Sequence, residues 1–473
     1  MRTARLGLWR GDLIAVAAGG GATVLVLLAT QHSGAKVGAG LSLGLIAFAA
    51  LVAAWLLAPH VVIGFTVPLF AVIPTAKLFV SGFFGPVKDA VTLAAGVAVL
   101  ITVVRRHRRP DGTQVDSLLC WLVLAFGGLY LVNLGGTIAG GGHGIAWAQG
   151  LRLVSEPLIL LMAGLMLPNP RKSLHVAVVA LIATGVVVAF YGILQQYLGG
   201  ARLVALGYSY QDQVRTIGSH LRSFGTLDDP FGYAAFLLLA LSAALWWMRR
   251  GPLKTVCLSL MAVGLMLSYV RSAILIAVAL LAIWLIRTGR GVVGFVVLAA
   301  SLAAAFAFLV AVSGANETRS VQAGPNTYIT LNGRTSVWAT VFSKPAEIPF
   351  GLGVGKVGTA AQRAQFGVLK DPTKATKGAT AVDSGYFATV ADIGIVGFLV
   401  LIALFTRLVV LGLAAIRRFE VAGWLVLGWL TVMLVDAVTR ASFTGFPTAF
   451  LGMLFVGLGI AASSQRYADL RPR

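Results

Sequence analysis

Arginines and one carboxylate, dispersed over four short stretches, are the side chains here that can do chemistry. The first stretch, QVRTIGSHLRSFGTLDDPFGYAAF, clusters Arg215, His220 and Arg222 ahead of Asp228-Asp229-Pro230. The second, LSYVRSAIL, sets Arg271 at the tip of a tight hairpin between two apolar runs. The third, NGRTSVWATVFSKPAEIPFGLGVGKVG, holds Arg334 just before Thr335 and ends in a glycine-rich bend. The fourth, DSGYFATVADIGIVG, opens with Asp383 and Ser384. A guanidinium grips phosphate oxygens with two parallel hydrogen bonds, a geometry that a point charge lacks. A carboxylate at the edge of the same pocket can act as general base toward a hydroxyl nucleophile. Simpler roles compete. Asp229 before Pro230 is the usual start of a helix, Asp383 can cap the next one, and Arg271 can snorkel to the interface. The run Gly351-Leu352-Gly353-Val354-Gly355 lacks the βαβ unit that a dinucleotide site needs. A tight loop, or a bend whose amides approach a phosphate, are the readings left for it.

The elements that must position these groups are membrane helices. With 58% hydrophobic and 11% charged residues, most of the chain is unsuited to a soluble globule. Apolar runs of roughly 18–25 residues recur throughout, long enough to cross a bilayer core. They predict an all-α, polytopic transmembrane bundle with about fourteen spans. The expected spans are 12–30, 40–58, 60–80, 88–104, 117–134, 145–167, 173–197, 231–248, 252–268, 272–286, 291–313, 385–415, 420–438 and 446–463. Pro68 and Pro74 predict a broken or re-entrant third span. The basic N-terminus leads into the first span without a convincing cleavage site. The 56 glycines suit close helix–helix approach in lipid.

A formal charge of +21 would suggest nucleic acid in a soluble protein, but here it fits the positive-inside bias and no nucleic-acid partner is expected. RRHRR at 105–109, Arg171, Lys172, Arg249, Arg250, Lys254, Arg287, Arg290, Arg417 and Arg418 all thread to the side of the N-terminus. Both termini are therefore expected in the cytoplasm. The two longest polar loops fall on the other side, where that bias gives no reason for arginine. The expected organisation is N-terminal helices over 1–197, a first extracytoplasmic loop at 198–230, and central helices over 231–313. A large extracytoplasmic loop at 314–384 and C-terminal helices with a tail over 385–473 complete it. Both loops are expected to carry short helices. Cys120 and Cys257 lie far apart in apolar segments and point to neither a disulfide framework nor a thiolate metal site.

In this order, the four stretches resemble the O-antigen ligase and Wzy polymerase superfamily over roughly residues 200–400. RSFGTLDDP is similar to its Arg-x-x-Gly…Asn/Asp-Pro element, SYVRSA to its Ser-x-Arg hairpin, and GRTSVW…P…GLGVG to its Gly-Arg…Trp…Pro…Gly-x-Gly element. DSGYFATVADIGIVG has the spacing of its His-Asn/Ser, nine residues, Gly-x-x-Gly motif. The resemblance implies a GT-C-like bundle in the bacterial inner membrane. It also implies an extracytoplasmic site that moves glycan, with inversion and without metal or cofactor, from an undecaprenyl-diphosphate-linked donor. The acceptor would be a glycan or lipid hydroxyl, with membrane lipids around the enzyme. Asp383, Arg222 and Arg334 become the catalytic group, and Arg215, His220, Arg271, Ser384 and Trp338 contact substrate. Ligases of the family carry His where this chain has Asp383, which tilts the expectation toward repeat-unit polymerisation over transfer to a distinct acceptor. A transporter would instead favour ionisable groups inside spans, of which Glu156, Asp436 and Arg152 are the few candidates.

Overall fold

The computed structural model describes residues 37–80, 84–107, 116–134, 144–210, 213–217, 220–289, 349–355 and 384–464, with a few isolated positions between 294 and 303. Arg334, Trp338 and Asp383 lie outside the described residues. Among the described residues the chain forms twelve helices: α1 (Val37–Leu57), α2 (Pro59–Phe79), α3 (Phe84–His107), α4 (Ser117–Val132), α5 (Gly144–Met166), α6 (Pro170–Ala205), α7 (Pro230–Trp247), α8 (Pro252–Met266), α9 (Arg271–Arg287), α10 (Gly385–Arg418), α11 (Glu420–Asp436) and α12 (Thr448–Ser464). Six of these are long and apolar enough to cross a membrane, and four shorter apolar helices accompany them. Each helix begins and ends within a few residues of an expected span, except that α6 runs eight residues past 197 to Ala205. Of the two spans left over, 12–30 lies outside the described residues and 291–313 is described only at scattered positions. Contrary to expectation, α2 is one continuous helix with Pro68 and Pro74 inside it.

The core follows from composition. Helix α7 reads PFGYAAFLLLALSAALWW, apolar on every side, and is buried along nearly its whole length. Helices α8, α9, α11 and α6 pack around it. Helices α5 and α12 meet through Gly164 and Gly457. A Cβ on Gly164 would stand 2.4 Å from Leu454 O, and one on Gly457 2.4 Å from Leu161 O, so only glycine permits this backbone approach. Arg407 of α10 ties that helix to the N-cap of α4, donating from Nε to Asp116 Oδ1 (3.0 Å) and from Nη2 to Asp116 Oδ2.

The first polar loop departs from a purely helical expectation. Helix α6 bends at Gly199 (φ +74°), runs on to Ala205, and then gives way to an antiparallel hairpin of β1 (Arg215–Ile217) and β2 (His220–Arg222). The all-α class thus holds for the bundle, while this loop carries a small two-stranded ribbon in addition to the short helical continuation. Of the second loop, only 349–355 is described.

Candidate active site

Two glutamines in α6 fix the loop that carries Arg222. A buried polar side chain in an apolar helix is costly unless its hydrogen bonds are met, and Gln195, with no exposed surface, meets them all on one loop. Its Oε1 accepts from Phe224 N (3.0 Å) and Gly225 N (2.9 Å), while Nε2 donates to Gly225 O (2.9 Å). Gln196 Nε2 donates to Leu221 O (3.1 Å) and Ser223 Oγ (2.6 Å), and Ser223 Oγ donates to Gly192 O (2.6 Å). Ser223 N donates to Leu267 O (2.8 Å), joining the loop to the end of α8. Thr226 Oγ1 donates to Ala71 O and Thr75 Oγ1 to Thr226 O, each at 2.7 Å, which joins it to α2. Gly225 has φ +56° and a Cβ there would meet the Tyr233 ring at 2.7 Å, so the RSFGT sequence needs its glycine.

On this base, arginines gather over one ring. In the hairpin register Arg215 faces Arg222 across the strands. Asp229 caps α7 through Phe231 N (2.7 Å) and Gly232 N (2.9 Å), with Pro230 next to it, which fixes Phe231 in the first turn. The Phe231 ring centroid lies 4.5 Å from the Arg222 guanidinium carbon, 5.2 Å from that of Arg440 and 6.0 Å from that of Arg215. Arg222 Nε donates to Ser268 O (3.0 Å). Arg271, at the start of α9, is close enough to act on Arg222 electrostatically. Burial lowers the Arg222 pKa to about 10; Arg215 pushes the same way, Asp229 opposes, and Arg440 and Arg271 add to the decrease. Crowded cations that lower one another's proton affinity form a site of positive potential suited to an anion. His220 stacks on Tyr269, centroids 5.7 Å apart.

Arg440 joins this cluster from the far end of the sequence. It donates to Phe231 O (2.7 Å) and to Asp436 Oδ2 (3.1 Å), and Ser442 Oγ donates to the same Asp436 oxygen (2.5 Å). Sequence reasoning missed both Arg440 and Phe231. The signal was present for Arg440: an arginine at the same membrane face as the loop arginines, where charge bias does not call for one. The segment holding Arg440 also receives the start of α10. Gly385 N donates to Ala437 O (2.9 Å) and Arg440 O (2.7 Å), and Ser384 Oγ donates to Ala437 O (3.2 Å) while accepting from Phe387 N (3.5 Å). Ser384 is buried and is itself the N-cap of α10, a role expected of Asp383. Instead of facing a ligand, its hydroxyl is spent on this junction.

The glycine motifs of the third and fourth stretches turn out to be partners. Helix α10 is kinked at Gly394 (φ +73°), and residues 349–355 lie in the kink. A Cβ on Gly394 would stand 2.2 Å from Pro349 O, and one on Gly351 (φ +86°) 2.6 Å from Gly394 N. Leu352 N donates to Ala391 O (2.6 Å) and Val354 N to Asn133 Oδ1 (2.9 Å). Those two amides are occupied within the protein, and the bend packs against α10. Glu156, Arg152 and Asp436, the ionisable groups expected inside or near spans, are paired, whereas Asp392 of α10 meets the Tyr130 hydroxyl at 3.4 Å. Lys88 contacts Asp89 (2.5 Å) and Glu156 (2.7 Å), Arg152 contacts Asp89 (3.1 Å) and Glu156 (3.2 Å), and Asp436 holds Arg440. Among the described residues no three His, Cys, Asp or Glu side chains come together as a metal site.

Residues 256–402 match the family model described as O-antigen ligase (Wzy_C), and for this region the match supports the resemblance to the O-antigen ligase/Wzy superfamily. The match takes in Arg271, Arg334, Trp338, Asp383 and Ser384, and leaves Arg215, His220, Arg222 and Arg440 outside it. No curated protein matches the chain. Together with its apolar helices, the match supports an integral membrane protein with a function of the O-antigen ligase/polymerase type.

Proposed function

We propose that this protein is a member of the O-antigen ligase superfamily and an inverting glycosyltransferase of the bacterial inner membrane. It transfers glycan from an undecaprenyl-diphosphate-linked donor to a hydroxyl on the extracytoplasmic face, polymerising polysaccharide repeat units. The observation that carries the reading is the set of guanidiniums around Phe231. Arg222, Arg215 and Arg440 surround one ring, Arg271 stands nearby, and the carboxylates beside them, Asp229 and Asp436, are committed to a helix cap and an ion pair. That charge balance is completed by a diphosphate. Arginines placed where charge develops on the leaving group do the work that a divalent ion does in other transferases.

In the proposed reaction the acceptor hydroxyl attacks the anomeric carbon in line with the departing diphosphate. A C–O bond to the acceptor forms as the sugar–phosphate C–O bond breaks. The bonding electron pair leaves with undecaprenyl diphosphate, neutralised by Arg222, Arg271, Arg440 and, from the large loop, Arg334. Asp383 takes the hydroxyl proton. It directly precedes Ser384, whose junction with the Arg440 segment supports placing this base beside the cluster. Arg215, His220 and Trp338 contact the glycan or diphosphate. Positive-inside charge supports cytoplasmic termini and an extracytoplasmic site.

Single transfer to a distinct acceptor is the second reading, favoured by the description of the matching family as ligase. Incubating the purified protein with an undecaprenyl-diphosphate oligosaccharide separates the two. A ladder of lengths supports polymerisation, one transfer to an added acceptor supports ligation, and no transfer under either condition refutes the enzyme reading.

A further inference from the structure

The four helices that bring residues to the arginine cluster also build a recess at their other ends. Helix α7 starts at the cluster and ends at Trp247; α9 runs from Arg271 to Arg287; α11 runs from Glu420 to Asp436; α8 starts at Pro252 and ends beside Ser268. An eighteen-residue helix spans roughly 27 Å, so the recess is about a bilayer core away from Phe231. Its volume is about 350 Å³, and Arg249, Arg250, Lys254, Arg287, Trp284 and Trp424 are among its walls.

Three features distinguish it from a scatter of interfacial cations. Lys254 is buried and held in place: Nζ donates to Leu245 O (2.6 Å) and Met248 O (3.3 Å) and sits 4.6 Å from the Trp284 ring centroid. Trp424 stacks flat on Trp246 at 4.8 Å, and its enclosed Nε1–H has no acceptor among the described residues. A buried donor left without an acceptor is costly and asks for a partner. Helix α8 begins here with Gly251 as N-cap and no side-chain cap, which leaves the positive end of its dipole for an anion. Glu420, the carboxylate lining the recess, is engaged by Arg287 at 2.5 Å, while Arg249 and Arg250 are exposed.

We propose that this recess is a second site, separate from the reaction centre, that binds a phosphate ester, with the headgroup of an anionic phospholipid as its source. The cations meet the phosphate oxygens, the Trp424 N–H donates to one of them, and the tryptophans sit at headgroup depth, where amphipathic rings prefer to lie. The inference does not depend on the chemistry at the other face.

Native mass spectrometry of the purified full chain tests it, with acyl-matched phosphatidylglycerol or phosphatidylcholine added to the detergent. The wild type should retain phosphatidylglycerol over phosphatidylcholine. Arg249→Ala/Arg250→Ala, both exposed and safe for folding, should reduce that preference roughly ten- to thirty-fold, as expected for two interfacial cations. Trp424→Phe should weaken it severalfold, which a diffuse surface attraction would not predict. Displacement of the lipid by millimolar inorganic phosphate keeps the chemistry and reassigns the source to free phosphate. Equal retention of the two lipids by the wild type, or an unchanged preference in the Arg249/Arg250 variant, overturns the proposal.

Discussion

Replacing Arg440 by Ala perturbs two things at once, and the structure allows them to be separated. In the proposed reaction Arg440 contributes a charge-assisted hydrogen bond to the leaving diphosphate. Removing one such preorganised donor costs about 10²- to 10³-fold in kcat. The same guanidinium also neutralises Asp436, whose side chain is only 3% exposed, against 21% for Arg440. Breaking a buried ion pair costs about 3–5 kcal/mol. Ser442 remains on the carboxylate and the cation is partly exposed, so a loss of about 1–3 kcal/mol is the better figure. Arg440→Ala should therefore be both inactive and less stable. Asp436→Asn combined with Arg440→Ala removes the stranded charge and should recover most of the lost stability while staying inactive. Arg440→Lys keeps the charge without the fork geometry and should retain partial activity, about ten-fold below wild type. Thermal unfolding in detergent and initial rates with an undecaprenyl-diphosphate oligosaccharide measure the two effects. Wild-type rates in the stable double variant would remove Arg440 from the mechanism.

Three further outcomes follow from the same geometry. Phe231→Leu keeps an apolar side chain but loses the ring under three cations, each contact worth about 0.5–1 kcal/mol when exposed and more when desolvated; the donor KM should rise several-fold while the protein stays folded, and an unchanged KM argues against the ring's role. Gly394→Ala places a Cβ 2.2 Å from Pro349 O at φ +73° and should destabilise by about 1–3 kcal/mol, read as a lower midpoint in thermal unfolding. Burial and its arginine neighbours lower the Arg222 pKa to about 10. Its folded pKa lies below the unfolded one, so the charged cluster opposes folding at neutral pH and that penalty is relieved as pH rises above about 10 toward the ordinary arginine value. Pyrophosphate, needing the charged form, should raise the unfolding temperature equally between pH 7 and pH 9 and progressively less above about 10.

The helices were legible because a bilayer imposes their length and polarity: twelve expected segments reappear as helices α1–α12, of which six are long and apolar enough to cross a membrane. Pro68 and Pro74 misled, since neighbours in a packed bundle can satisfy the carbonyls a proline leaves free. The β-hairpin was not legible. Its strands are three residues each, and what holds them beside α6 is side-chain bonding from Gln196 to Leu221 and Ser223, a long-range fact that no local pattern carries. The arginines of the first loop were found because they sit where charge bias gives no reason for them. Arg440 carries the same signal but stands four residues after Asp436, where a local ion pair is the simpler reading. The two glycine motifs were each visible, yet their mutual packing at Gly394 and Gly351 depends on segments separated by about forty residues of chain. Ser384 shows the reverse error: a hydroxyl beside a catalytic candidate looks like a ligand until its hydrogen bonds are counted.

A structure of the protein with undecaprenyl diphosphate bound tests the central claim most directly. The account predicts diphosphate oxygens within hydrogen-bond reach of Arg222 and Arg440, about 2.7–2.9 Å, above the Phe231 ring and with Arg271 alongside. A diphosphate held on another surface of the bundle, with the guanidiniums around Phe231 left unliganded, would contradict it.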